Sequence, residues 1–176
     1  SFKDQVIFEK SEVTKDNGEP YTIYTPYSKR WKQRLSGTVP VYDTKKLSGN
    51  FFKCSPQAIP TLADIGFEPA PPNTVPAKLN EAITKHYDGT RDIPAIAGTT
   101  KMGVHLRFGT VSIRELVNKA LQLNATYLNE LIWREFYQMI LWHFPNVVTH
   151  SFRKEYDKIA WRNNEREFEL WCTGQT

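Results

Sequence analysis

The stretch TYLNELIWREFYQMILWHFP, residues 126–145, restricts this chain more than any other. It is too long for a strand and closes on a proline, so it predicts one helix over about 126–144. Its apolar residues run almost all the way round, yet Glu130, Arg134 and Glu135 sit among them. Charged side chains are seldom fully buried unless something pairs with them. At ~100° per residue, Tyr127, Glu130, Trp133, Arg134, Tyr137, Leu141 and Phe144 share one side, and Leu128, Ile132, Phe136 and Met139 gather opposite. Two explanations stand for the i,i+4 pair Glu130–Arg134. It is either a solvated surface pair worth about 0.3–0.5 kcal/mol, or part of a pocket wall offering a carboxylate and a guanidinium to a planar ligand. The rings around the pair favour the pocket.

The rest of the chain divides at its composition shifts. Residues 5–9 and 21–24 read as short strands about the Asn17-Gly18 turn. Residues 25–35 form an amphipathic turn and helix, and 36–76 is rich in Pro, Gly, Ser and Asn with little periodicity, a long connector. Helical pattern resumes at Thr74-Val-Pro76 with Pro in the first turn. A short helix over VHLRFG ends at Gly109, and Ser112 with Glu115 three residues on forms a capping box for the next. A weaker helix covers about 165–172 and ends at Gly174. The expected fold is mainly α, a helical bundle preceded by a short strand pair and a long linker.

With 176 residues the chain is long enough for a real core. A net charge of +4 leans only mildly toward anionic partners, so nucleic acid is permitted but not argued for. Cys54 and Cys172 lie far apart and read as free thiols of a reducing compartment. No apolar run reaches the ~18 residues of a membrane span, and the start SFKDQVIFEK carries no signal-peptide pattern. It opens on an alternating QVIFE, which suggests a cut chain. In AGTTKMG, residues 97–103, glycines bracket two hydroxyls and a lysine. That is the donor chemistry a phosphate or pyrophosphate takes, and equally that of a plain turn before a helix.

Taken in order, these pieces resemble the DNA photolyase and cryptochrome family. YTIYTPYSKRWKQRL resembles the segment that leaves the family's N-terminal α/β antenna domain, and HYDGTRDIPAIAGTTKMGVHLRFGTVSIREL is similar to its flavin-binding run. LNELIWREFYQMILWHFP matches its most specific signature, and WRNNEREFELWCTGQT resembles the segment that follows. The resemblance implies a helical domain that holds FAD and repairs pyrimidine dimers flipped out of damaged DNA, by electron transfer from the reduced flavin in light.

Carried over by position, Tyr87 and the run Thr99, Thr100, Lys101, Met102 and Gly103 resemble the contacts to flavin ribityl and phosphate. The family more often has Ser-Arg-Leu-Ser where this chain has Thr100-Lys-Met-Gly103, so one hydroxyl donor is lost. Tyr127 stands where the family often has Trp near the cofactor. Arg91 resembles a contact to DNA phosphate, Glu130 the carboxyl that bonds the dimer's base, and Trp133 the ring against which the lesion stacks. Arg134 resembles a residue bridging the flavin and DNA sides, with Tyr137 on the DNA side. Trp161 resembles the outermost member of the tryptophan chain that photoreduces the flavin, or is a half-buried core Trp.

The implied domains are 1–35 as a remnant of the antenna domain, 36–73 as linker, and 74–176 as a partial FAD-binding domain. The chain is then expected to be a fragment that binds flavin weakly by itself, its parent a monomeric, cytoplasmic photo-lyase with an antenna chromophore the sequence does not specify. Two other functions fit the same residues: a cryptochrome-type photoreceptor without repair, and a cofactor-free helical DNA-binding module.

Overall fold

A computed structural model describes residues 3–68 and 75–176. Among these the chain is helical: α1 (Tyr24–Arg34), α2 (Glu81–Lys85), α3 (Tyr87–Thr90), α4 (Gly103–Phe108), α5 (Ile113–Leu123), α6 (Ala125–His143) and α7 (Glu165–Cys172). Short 3-10 turns lie between them.

The caps follow local chemistry. Asn124 accepts from the backbone N–H groups of Thr126 and Tyr127 at 2.9 and 3.0 Å, which starts α6 one residue earlier than expected. Gly109 closes α4 at φ 65°, a left-handed cap that a glycine adopts without a Cβ clash. Ser112 accepts from the N–H of Glu115 at 3.5 Å at the head of α5.

Around α6 the other elements assemble: α1, α3 and α5 all pack on it, and α2 packs on α5. Leu128, Leu131, Ile132, Phe136 and Met139 face this core together with Trp31 and Tyr27 of α1 and Leu116, Val117 and Ala120 of α5. Burial raises the hydroxyl of Tyr27 far above its ordinary value. It pushes that of Tyr24 to about 12, with the nearby Glu130 carboxylate adding to the rise. Because both folded values exceed the unfolded value of about 10, the stability these groups contribute is complete below pH 10 and is lost as pH rises. Burial raises Tyr87 and Tyr127 as well, so in an alkaline titration four of the eight tyrosines should ionise late, Tyr24 and Tyr27 with unfolding; eight tyrosines titrating together near pH 10 would contradict the packing.

Two sequence expectations are corrected. The strand pair does not form among the described residues, where one isolated antiparallel bridge, Thr14–Pro20, spans the Asn17-Gly18 turn. The N–H groups of Ile7 and Phe8 go instead to Glu135 at 2.6 and 3.0 Å, and Tyr24 already belongs to α1. The helix expected from residue 74 begins at Glu81. Its N-cap, Asn80, accepts from Ile83 N–H at 3.2 Å, while Pro76 and Lys78 make a turn before it; Thr74 lies outside the described residues. Between 36 and 68 Val39 is the one buried residue, pinned by the side-chain amide of Asn118 through two bonds of 2.8 Å.

Candidate functional site

The loop before α4 is set by contact. Gly98 lies so close to Thr90 that an added Cβ would sit 2.5 Å from the Thr90 carbonyl oxygen, and the Thr90 hydroxyl donates to the Gly98 carbonyl at 3.0 Å. This docks 98–102 against α3. Lys101 takes φ 53°, a left-handed conformation uncommon outside glycine. The hydroxyl of Thr100 is buried and donates to the Tyr127 hydroxyl at 3.3 Å. Burial raises the pKa of Tyr127, so it stays a neutral hydroxyl. Met102 is core, and Gly103 opens α4.

Beside this loop lies a cavity of about 660 Å³. Thr99, Thr100, Lys78 and Lys101 line it together with Leu79, Met102 and Glu81. The volume falls within the roughly 300–1,000 Å³ of ligand pockets. Two threonines and two lysines on the lining are residue types that suit the phosphate and ribityl end of a dinucleotide, and Glu81, the one carboxylate there, is paired with Lys119, so the donor set fits FAD.

A second cluster lies where α3 meets α6. Tyr87 packs edge-on against Tyr127, ring centroids 5.2 Å apart, and the Arg91 guanidinium sits 5.4 Å over the Tyr87 ring. Arg91 donates to the carboxylate of Glu130, and both are about two-thirds covered. One turn on, Trp133 is half-buried between aromatic neighbours. Tyr24 stacks on it at 3.6 Å, and Tyr137, exposed, lies 5.5 Å away.

The structure thus brings together Tyr87, Arg91, Thr100, Tyr127, Glu130, Trp133 and Tyr137. It does not bring Arg134 to Glu130, and the expected i,i+4 pair is replaced. Glu130 turns to Arg91, whereas Arg134 donates to the carbonyls of Gln5 at 2.6 Å and Leu106 at 3.4 Å. These two carbonyls offer a half-buried guanidinium acceptors that Glu130, already paired, does not. Arg134 therefore ties the start of the chain to α4. Trp161 is 73% exposed, which removes the half-buried core alternative, and no hydrogen bond or ring contact links it to α6 among the described residues.

Sequence reasoning missed Glu135. It is 3% exposed and accepts from the N–H groups of Ile7 and Phe8 and, at 2.7 Å, from the Trp31 indole. Burial pushes its carboxyl upward, and the three donors and Arg134 pull it back. The signal was available: at ~100° per residue Glu135 lies about 20° from Leu128, in the middle of the buried stripe. His105 was missed too, its ring nitrogens bonded to Thr110 and to the Val75 carbonyl at 2.8 and 2.7 Å.

A helical body with a cavity lined by threonines and lysines and an aromatic, charged face is compatible with a flavin-binding type of domain, and similarity to known proteins points the same way. Residues 127–176 match the family model described as FAD binding domain of DNA photolyase. The deoxyribodipyrimidine photo-lyase of Synechococcus sp. is 28% identical over 98% of this chain and 42% of its own length. That of Escherichia coli is 28% identical over 99% of this chain and 41% of its own. The chain therefore spans about two fifths of the length of these curated relatives. A solved bacterial class III photolyase from Agrobacterium tumefaciens shares the fold with a TM-score of 0.71, over 98% of this chain and 40% of that one, at 22% identity. In sequence and fold, then, the chain resembles the DNA photolyases, and FAD is the cofactor that the family match indicates. Among the described residues no helix is long and apolar enough to cross a membrane.

Proposed function

We propose that this chain is part of a monomeric, cytoplasmic enzyme that repairs pyrimidine dimers in DNA under light, with 1–35 the end of an antenna domain, 36–73 a linker and 74–176 the first part of the FAD-binding domain. The observation that carries this reading is the position of Glu130 and Trp133 on one side of α6, with Arg91 paired to Glu130, Tyr87 packed on Tyr127, and the 660 Å³ cavity lined in part by Thr100.

In this reading Thr99, Thr100 and Lys101 hold the phosphate and ribityl end of FAD, with Tyr87 and Tyr127 behind them. FAD, reduced and excited by light, supplies the electron for repair. Trp133 offers its ring to the flipped pyrimidines, and the Glu130 carboxylate accepts a hydrogen bond from a base. Tyr137 lies on the DNA side, and Trp161 serves electron transfer at the surface. Arg91 faces a phosphate while it holds Glu130 in place.

The test uses the complete protein with FAD and duplexes carrying one cyclobutane or one (6-4) lesion. Reversal of one of them in blue light and not in darkness is expected. A protein that binds FAD and absorbs blue light but reverts neither lesion would be a photoreceptor instead.

For Arg91→Ala we expect both intact and damaged duplexes to bind more weakly and the salt slope to fall by about one, since a phosphate contact is made whatever the sequence, with a further loss on damaged DNA because Glu130 is no longer held. Binding titrations over a salt series measure both. A loss confined to damaged DNA, with the slope unchanged, would place Arg91 in the lesion pocket.

A further inference from the structure

Trp133 is not a free ring. Tyr24, the first residue of α1, lies parallel to it with centroids 3.6 Å apart and planes 6° from coplanar. At that separation nothing fits between them, because aromatic carbons already touch at about 3.5–4.0 Å. Tyr24 is itself held at two points. Its hydroxyl donates to the Asn129 carbonyl on α6 at 2.9 Å, and its ring meets the core residue Phe136 edge-on at 5.9 Å. Behind it α1 is fixed by Tyr27 and Trp31, both 1% exposed. Phe136 also meets Trp133 edge-on at 5.6 Å, and the exposed Tyr137 ring lies 5.5 Å from it with planes 24° apart, so three rings border the indole and Tyr24 is the one in full face-to-face contact.

We propose that Tyr24 is a positioning residue for lesion recognition: a fixed backing ring that closes one face of Trp133 and sets the plane of the indole, so that a flipped pyrimidine stacks on the part of the ring Tyr24 does not cover. The proposal rests on the reading of Trp133 as the lesion's stacking ring. A ring free to rotate has to be ordered as the base arrives, and that ordering weakens binding. A ring held from behind meets the base already in place. Tyr24 touches neither the base nor the cofactor, and acts through Trp133 alone.

The experiment measures, in the complete protein with FAD, binding to lesion-bearing and intact duplexes, light-driven repair at saturating lesion, and melting temperature. Tyr24→Leu and Tyr24→Met, which remove the aromatic plane and keep apolar volume, should weaken lesion binding about tenfold with intact-duplex binding unchanged. Repair at saturation should stay near that of the unaltered protein. Tyr24→Phe, which keeps the stack and loses the bond to Asn129, should restore most of the affinity. The decisive arm is the double variant. On a Trp133→Ala background Tyr24→Leu should add little, because coupled residues are not additive.

Equal fold-losses on both backgrounds, failure of Phe to restore binding, or parallel loss on intact DNA would overturn the proposal. If Leu unfolds the protein, Met and Phe carry the same comparison. Failure of the underlying reading looks different: the unaltered protein and Trp133→Ala would then bind lesion and intact duplexes with the same ratio.

Discussion

Glu135→Ala should cost the complete protein about 3–5 kcal/mol of folding stability, since leaving a buried donor unpaired costs about 1–3 kcal/mol and three donors lose their acceptor. The indole N–H of Trp31 and the N–H of Ile7 are enclosed, while the N–H of Phe8 is partly exposed and water can recover some of its loss. That is a large share of the roughly 5–15 kcal/mol that holds a typical domain together. The effect reaches further than one contact, because Glu135 joins α6 to α1 and to the start of the chain, and so keeps the segment carrying Tyr24 against Trp133. Glu135→Gln keeps one carbonyl oxygen for these donors but turns an amide N–H₂ toward the others, so it should lose about half as much. Denaturant unfolding measures both variants. A cost under about 1 kcal/mol for alanine would mean that the three donors find other partners and that Glu135 is no anchor.

Trp133→Ala should weaken lesion binding by about five- to 150-fold, the equivalent of roughly 1–3 kcal/mol of base stacking. Intact duplex keeps its bases stacked inside and should be affected little. Trp133→Phe should recover part of the loss because it retains a π-face. The ring also packs on Tyr24 and Phe136, so alanine will lower the melting temperature as well. The half-buried position makes that drop smaller than for a core tryptophan, whose loss costs about 3–5 kcal/mol. Thermal melting beside filter binding on matched duplexes separates the two effects. If the folded variant still discriminates lesion from intact DNA as well as the original, Trp133 is a packing residue and the site lies elsewhere.

Much of this was legible in the sequence, for identifiable reasons. α4, α5, α6 and α7 announce themselves through caps and stops (Gly109, Ser112, Pro145 and Gly174), and the structure places their ends within a residue or so of those signals. The candidate residues in and around the loop 97–103 and along one side of α6 were picked out through the motif resemblance. The structure supplies what the motifs do not hold, namely that Thr100 meets Tyr127 and that Arg91 meets Glu130.

The misreadings share one cause, which is that local pattern does not say which partner takes a polar group. QVIFE alternates as a strand would, yet its N–H groups are satisfied by a carboxylate 128 residues away in sequence. Glu130 and Arg134 have the spacing of an ion pair, yet each finds a better partner on another segment. Pro76 suits a helix start, but Asn80 is the side chain whose oxygen reaches the third N–H beyond it. Tyr24 was read as strand, and nothing in its local pattern told that its ring would lie against Trp133.

The most direct measurement of the whole account is repair at saturation. A duplex carrying one defined pyrimidine dimer is mixed with excess complete protein holding reduced FAD, and reversal is followed in blue light and in darkness. The unaltered protein, Glu130→Gln and Trp133→Ala are compared at equal lesion occupancy. The account predicts reversal only in light, a clearly lower yield per absorbed photon for Glu130→Gln, and a loss for Trp133→Ala that appears chiefly in binding. Repair that proceeds in darkness, or light-driven repair with the same binding and yield in all three proteins, would contradict it.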